Sequence, residues 1–152
     1  MNNEDKYMNR CLQLGRQALK KGDPPVGAVL VVDDIIIGEG TESGKSSGDV
    51  TNHAEIQAIR NAISNGFGKD LAKAELYTTH EPCIMCSYVI RHHHIPHIVF
   101  GVAVEYVGGF TSDFAVLTTE KVPKWGKPPK ITSGICKEEC EMLNKKFDSQ
   151  KS

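Results

Sequence analysis

The sequence predicts an α/β fold, a three-layer α/β/α sandwich of helices around a mixed five-stranded sheet. Helical patterns alternate with short apolar strands along the chain, and two of those strands are close enough to form a hairpin. This alternation is typical of a sheet with helices on both faces. No internal repeat or linker divides the 152 residues, so we expect one domain over residues 1–152.

The first half of the chain predicts a helix, a hairpin and a second helix. Apolar residues spaced three and four apart predict a helix over Tyr7–Lys21. The apolar run Val26–Val32 and the stretch "IIIGEG" predict two strands joined by a turn at Asp33-Asp34. The polar stretch "ESGKSSGD" predicts a loop. The stretch "NHAEIQAIRNA" then predicts a helix that begins at Asn52 and ends near Asn65.

The second half predicts three more strands and two more helices. "AELYTT" is typical of a strand, and the helix after it is predicted to begin at Pro82, since proline favours the first turn. "HIVFG" predicts a buried strand and "KITSGI" a last one, separated by a long irregular segment over residues 102–129. A terminal helix is predicted from its apolar face, formed by Cys136, Cys140, Leu143 and Phe147.

Composition narrows the class of protein. The formal net charge is −1, from 18 Lys and Arg against 19 Asp and Glu, so phosphate contacts alone would not hold the chain to nucleic acid. No apolar run is long enough to span a membrane, and the N-terminus lacks the apolar region of a signal peptide. We therefore expect a cytoplasmic protein. Its five cysteines, an odd number, predict metal or catalytic use rather than disulfides.

The stretch "PCIMC" places Cys83 and Cys86 three residues apart at the start of a predicted helix. Residues at i and i+3 lie on the same helix face, so both sulfurs can reach one point. Exposed N–H groups at a helix start favour thiolate, the form that binds metal. The alternatives are a redox pair or two core residues. The absence of a surrounding thioredoxin-like pattern disfavours the redox pair.

His53 and Glu55 lie in the first turn of the helix predicted from Asn52. Side chains in a first turn tilt toward the N-terminus and can converge on a point beyond it. His53 is the candidate third metal ligand, although a lone histidine is more often a core residue. Glu55 also has a structural alternative, since Asn52-x-x-Glu55 matches a capping box.

A ligand set of His53, Cys83 and Cys86 predicts a catalytic zinc site. Three protein ligands leave tetrahedral Zn²⁺ a fourth position for water, whose pKa the metal lowers to about 7. In this hypothesis Glu55 does not bind the metal but carries a proton from the water to a leaving amine. The chemistry predicted is hydrolytic deamination.

His-x-Glu followed by Pro-Cys-x-x-Cys is the signature of zinc deaminases, and "HAE" with "PCIMC" matches it. The chain resembles the cytidine deaminase-like superfamily, in the branch of tRNA adenosine deaminases, guanine deaminases and cytosine deaminases. "PPVGAVLV" and "IIIGEG" resemble the first hairpin of that branch, and "ITSGICKEECEML" its closing strand and helix. The resemblance implies a cytidine deaminase-like fold, a zinc cofactor and a homodimer.

Two departures from these relatives concern the substrate. An asparagine two residues after the "GEG" glycine reads the base in the relatives, whereas this chain has Glu42 there. A carboxylate only accepts hydrogen bonds, so Glu42 favours a base that presents N–H groups; the alternative is a solvated loop residue. The segment "VAVEYVGGFTSDF" also replaces an Arg-Asp and small-residue loop, which weakens the tRNA hypothesis.

The leading hypothesis is therefore a zinc-dependent deaminase of a free nucleobase, nucleoside or related heterocycle. The substrate would be held by Glu42 and by the backbone near Ala28 and Val29. The alternative enzyme converts adenosine to inosine in a tRNA anticodon loop, which requires a flipped base. A third hypothesis is a zinc-binding module without turnover. Glu55 argues against that, because a structural site more often fills its fourth position with a protein ligand.

Overall fold

The computed structural model describes residues 2–151, and in that part of the chain five strands form one mixed sheet. Its order is β2-β1-β3-β4-β5. The strands are β1 Gly27–Val32, β2 Ile35–Thr41, β3 Glu75–His80, β4 His97–Val102 and β5 Lys130–Thr132. β1 pairs antiparallel with β2 and β3, and β3, β4 and β5 are parallel. The predicted mixed five-stranded sheet is confirmed.

Helices cover both faces of this sheet. They are α1 Asn3–Lys20, α2 Gly44–Ser47, α3 Ala54–Ser64, α4 Ile84–His92 and α5 Lys137–Gln150, with 3₁₀ turns at Gly68–Lys73 and Pro123–Trp125. β1 alternates between the faces: Leu30 packs with α3 and α4, and Val29 packs with α1 and α5. The three-layer arrangement is confirmed. None of the helices described is both long and apolar enough to cross a bilayer.

The β1–β2 hairpin turns at the two residues predicted for it. Asp33 and Asp34 have φ of 50° and 62°, both in the left-handed region. A two-residue turn with two positive φ values follows the right-handed twist of the flanking strands. Aspartate tolerates this conformation better than most residues, because its short side chain can hydrogen-bond locally.

Both helices of the predicted site begin later than the sequence indicated. α3 begins at Ala54 with His53 as its N-cap, and not at Asn52. The Asn52 side chain accepts a hydrogen bond from Arg60 Nη1 at 2.8 Å, so it does not cap α3. α4 likewise begins at Ile84 with Cys83 as its N-cap, which leaves Pro82 outside the helix. The alternative of a capping box at Asn52 and Glu55 is therefore excluded, and the prediction that α4 begins at Pro82 is wrong.

The glycines of "GEG" bring α3 directly onto β2. A Cβ built on Gly40 would collide with the carbonyl oxygen of Ala54, and one on Gly38 with that of Ala58. Neither colliding atom can move independently, because both belong to the α3 backbone. Gly40 and Gly38 therefore fix how closely α3 lies on the sheet, and with it the position of His53 at the helix start.

We expect Gly40→Ala to lower the free energy of unfolding by about 1–3 kcal/mol, the usual range for overpacking a core. The added methyl must push the first turn of α3 away from β2, so metal affinity should fall as well. Chemical denaturation and a zinc titration measure the two effects. Gly68→Ala is the matched control, because the nearest atom to the Cβ added there, Ile63 Cγ1, lies at an ordinary contact distance of 3.7 Å. Unchanged stability and zinc affinity in the Gly40 variant would contradict the packing argument.

A buried arginine of α4 holds the irregular segment that follows β4. Arg91 of α4 is almost completely buried. Its Nη1 donates to the carbonyl oxygens of Val116, Leu117 and Thr119 at 2.9, 3.1 and 2.9 Å. These bonds satisfy backbone groups that lie outside helices and strands, and they fix the segment against α4.

Candidate active site

The starts of α3 and α4 bring His53, Cys83 and Cys86 together. His53 Nδ1 lies 3.4 Å from Cys83 Sγ and 3.5 Å from Cys86 Sγ. Tetrahedral zinc has bonds of about 2.0–2.1 Å to nitrogen and about 2.3 Å to sulfur, which places the nitrogen and sulfur donors about 3.6 Å apart. Among the residues described, these three form the group whose donor atoms converge within 4.8 Å. Glu55 is not part of it. The donor set and its spacing fit zinc with a fourth position open.

The charges at these donors also suit a metal. A hydrogen bond from Cys86 lowers the pKa of the Cys83 thiol to about 4. The hydrogen bond between His53 and Cys83 raises the pKa of His53 to about 9. Without metal, Cys83 is thus a thiolate beside an imidazolium. Zinc binds thiolate and neutral imidazole, so the ion takes the place of the shared protons.

Glu55 is buried beside this trio, with 3% of its surface exposed. Burial raises the pKa of its carboxyl group to about 8. A divalent cation at the trio would lower that pKa again, since a nearby positive charge favours the carboxylate. A carboxyl group poised between its two protonation states near neutral pH suits proton transfer. The capping box that the sequence allowed for Glu55 is not formed, because the Asn52 side chain accepts from Arg60 and the Asn52 N–H donates to the Asp49 carbonyl oxygen.

His53, Cys83 and Glu55 open onto a cavity of about 250 Å³. Its lining is mainly apolar, as is usual for small-molecule and base-binding pockets. The residues that form it are Pro24, Val26, Glu42, His53, Glu55, His80, Glu81, Cys83, Val104 and Val107. Of the predicted site residues, Glu42, His53, Glu55 and Cys83 line the cavity, and Cys86 is buried behind Cys83.

Ala28 and Val29 are not brought to the cavity. Both are fully buried in β1, and their backbones pair with β2 on one side and β3 on the other. Pro24 and Val26, which precede β1, line the cavity instead. The sequence located the right strand but placed its contact a few residues too late. A central strand uses its N–H and C=O groups in the ladders, so it has few to offer a ligand.

Glu42 is a cavity residue and not a solvated loop residue. It is 7% exposed, and its Oε2 accepts a hydrogen bond from Gly44 N–H at 3.0 Å. Burial raises the pKa of its carboxyl group. The structure therefore excludes the alternative of a solvated side chain, and Glu42 lines the same cavity as Glu55.

Glu81 was missed by sequence reasoning, although it directly precedes Pro82 and Cys83. Its buried carboxylate accepts from the N–H groups of Val104, Phe110 and Thr111 at 2.9, 2.8 and 2.7 Å, and from the Thr111 hydroxyl at 2.6 Å. These bonds wrap the segment after β4 around the cavity. The available signal in the sequence was an acidic residue directly before the Pro-Cys-x-x-Cys motif. Its hydrogen-bond partners lie 23 to 30 residues away, so the sequence did not reveal its role.

Comparison with known proteins places this geometry among deaminases. Residues 1–102 match the family model of the cytidine and deoxycytidylate deaminase zinc-binding region. The tRNA-specific adenosine deaminase of Haemophilus influenzae is 39% identical over 138 residues, which are 90% of this chain and 78% of that protein.

Two solved structures extend the similarity to the fold. One, from studies of A-to-I editing by tRNA:A34 deaminases at the wobble position, has a TM-score of 0.82 and 31% identity over 91% of this chain and 98% of its own. The other, guanine deaminase from Bacillus subtilis, has a TM-score of 0.62 and 35% identity over 68% of this chain and 66% of its own. His53, Glu55, Cys83 and Cys86 all lie within the residues that the family model matches.

Proposed function

The chain belongs to the cytidine and deoxycytidylate deaminase family, whose matched region binds zinc, and on this premise we propose that it converts adenosine to inosine in a tRNA. It is a zinc-dependent hydrolase of C–N bonds. The tRNA substrate is supported by the similarity, over most of both chains, to tRNA-specific adenosine deaminases. The observation that carries the proposal is the cavity that Glu55 shares with His53 and Cys83, two of the three converging donors.

We assign the proton transfers to Glu55. Bound zinc supplies a Lewis acid that makes a water nucleophilic at neutral pH. The Glu55 carboxylate accepts the proton that this water gives up as it attacks the ring carbon. Glu55 would pass that proton to the ring nitrogen beside the carbon. It would then take the second proton from the added hydroxyl and give it to the amino group, which leaves as ammonia while the carbon keeps the oxygen as a carbonyl. Burial of Glu55 excludes competing water from this exchange.

A free nucleobase is the second candidate substrate, and the observation that favours it is Glu42. The relatives have a base-reading asparagine there, which can both donate and accept. The Glu42 carboxylate only accepts, and it lines the same cavity as Glu55. It therefore suits a base edge with N–H groups, such as that of an amino-rich purine.

Product analysis on a defined panel tests the proposal. The zinc-loaded protein is incubated with an anticodon stem-loop RNA that carries the target adenosine, and with adenosine, adenine, guanine and cytosine. We expect inosine in the RNA, measured by sequencing, with stoichiometric ammonia. Ammonia release from guanine or cytosine with intact RNA would transfer the function to free bases. No ammonia from any member of the panel would remove both candidates.

Replacing Glu42 with Gln is expected to lower kcat/KM by roughly 10- to 150-fold, because a hydrogen bond to a charged group is worth about 1.5–3 kcal/mol. Glutamine keeps the oxygen that accepts from Gly44 N–H, so the local loop and the zinc content should not change. Glu39→Gln is the matched control, since that carboxylate pairs with Arg10 at 2.6 Å and lies outside the active-site cavity. An unchanged kcat/KM in the Glu42 variant would mean that this carboxylate does not contact the substrate.

We further propose that residues 1–152 act as a single deaminase domain. The homodimer expected from the family resemblance stays a prediction. Sedimentation of the purified protein over a range of concentrations measures its oligomeric state, and a monomer at all concentrations would contradict it.

A further inference from the structure

His80 ends β3 and forms part of the cavity wall, yet it is neither a metal ligand nor a predicted catalytic residue. Both of its ring nitrogens are already bound within the protein. His80 Nδ1 lies 2.8 Å from Thr79 Oγ1, and Nε2 lies 2.7 Å from Asn144 Oδ1. Asn144 belongs to α5, 64 residues further along the chain. The C-terminal helix therefore reaches the active-site wall through this histidine.

The donors in this network have one consistent direction. Gly27 N–H donates to Thr79 Oγ1 at 3.3 Å, and the Thr79 hydroxyl still has its own hydrogen to donate to His80 Nδ1. Nδ1 is then an acceptor and carries no hydrogen. Asn144 Oδ1 can only accept, so His80 Nε2 must carry the hydrogen. The ring is neutral and fixed in one tautomer, and burial also lowers the pKa of His80.

A ring with both nitrogens engaged has no free donor or acceptor for a substrate. What it presents to the cavity is its carbon edge and its face, next to apolar neighbours such as Val26 and Val107. The geometry points to His80 as a specificity-determining residue that forms a flat, non-ionised wall for the substrate base, with Asn144 of α5 as the residue that positions it. This inference rests on the proposed deaminase function, and it gives the C-terminal helix a part in substrate selection.

Substitution of Asn144 separates positioning from folding. Asn144→Leu leaves the Nε2–H of His80 without a partner, so the ring should turn toward another acceptor and change the wall. We expect KM for the stem-loop RNA or for adenosine to rise several-fold or more, because the displaced ring no longer forms the wall that receives the base, with kcat changed much less. Met142→Leu, at an exposed position of the same helix, is the matched control.

Asn144→Asp supplies a readout that a purely structural role would not move. The carboxylate keeps an acceptor near His80 Nε2, but it also stabilises the imidazolium and raises the His80 pKa. KM should be close to that of the parent at about pH 8 and should rise as the pH falls toward about 6, while Asn144→Leu is impaired at both. Met142→Asp controls for an added charge on α5.

Other titratable groups near His80 are the same in all of these variants. Those that line the cavity are Glu42, His53, Glu55, Glu81 and Cys83. On α5, Glu141 and Lys145 are exposed to solvent. A pH response confined to the Asn144→Asp variant therefore reports on His80.

Nitrogen-15 NMR of the zinc-loaded protein tests the tautomer of His80 and does not depend on catalytic turnover. We expect the Nε2–H form of His80 from about pH 6 to 8 in the parent protein, and its loss in Asn144→Leu. An Nδ1–H form, an imidazolium at neutral pH, or an unchanged KM in folded Asn144→Leu would overturn the inference. If no RNA or nucleoside is deaminated, the proposed function fails, and the selectivity role assigned to His80 fails with it. The tautomer spectrum then still decides whether Asn144 holds the ring.

Discussion

Glu55→Gln is expected to lower kcat/KM by about 10²–10⁴-fold, the usual loss when an acid-base group is removed. Glutamine has nearly the same shape but cannot take a proton from water or return one to the leaving amine. Zinc should stay bound at about one equivalent per chain, because the converging donors His53, Cys83 and Cys86 do not include Glu55. Deamination rate and zinc content, measured on the same preparation, check the two parts together.

The effect of Glu55→Gln on stability distinguishes a proton-transfer role from a helix-capping role. Burial raises the pKa of Glu55, so at neutral pH the carboxylate of the unfolded chain must take up a proton on folding, a cost that a neutral amide does not carry. Unfolding of the metal-free protein should therefore occur at the same or a higher temperature in Glu55→Gln. A lost cap would instead cost about 1 kcal/mol and leave chemistry intact. A variant that unfolds at a lower temperature but deaminates at the parent rate would contradict the proton-transfer role of Glu55.

Cys86→Ser is expected to lose both bound zinc and deaminase activity. The serine hydroxyl does not ionise near neutral pH, so it cannot replace the thiolate that completes the ligand set. Zinc present at a free concentration of 1,000 times its Kd stabilises the folded protein by about 4 kcal/mol. The variant loses this stabilisation, so its melting temperature should fall as well. Metal analysis, calorimetry and the deamination assay measure the three losses.

Two comparisons make this result specific. Cys136→Ala removes a half-buried thiol outside the His53, Cys83 and Cys86 group, and it should retain zinc and activity. Chelation of the parent protein should reproduce the Cys86→Ser phenotype, and added Zn²⁺ should reverse it only in the parent. Full activity in a Cys86→Ser protein that contains no zinc would remove the metal from the reaction.

The metal ligands could be predicted from local sequence patterns, because each pattern involves only a few neighbouring residues. Cys83 at the N-cap and Cys86 in the first turn of α4 come together through the geometry of one turn, whatever the rest of the chain does. The turn at Asp33-Asp34 depended on the same kind of short-range geometry. The start of α3 was misplaced, because Asn52 is a favoured N-cap residue in sequence. In the structure its side chain accepts from Arg60 instead, and His53 takes the N-cap position without a side-chain capping bond.

The substrate cavity depended on contacts between distant segments. β1 could be predicted, but its place between β2 and β3 could not, and that place is what keeps the backbones of Ala28 and Val29 from the cavity. The order of the two candidate substrates also changed, since the sequence favoured a free base and the similarity to known deaminases favours tRNA.

By itself, the sequence determined the α/β class, the zinc donors and the glutamate beside them, because residue type and short spacing specify these features. The tertiary structure decided which side chains complete the site. Glu81 reaches Val104 and Thr111 only because the segment after β4 folds back across α4. His80 meets Asn144 only because α5 packs against the sheet. Such meetings depend on packing summed over many apolar contacts, and no short stretch of sequence carries that information.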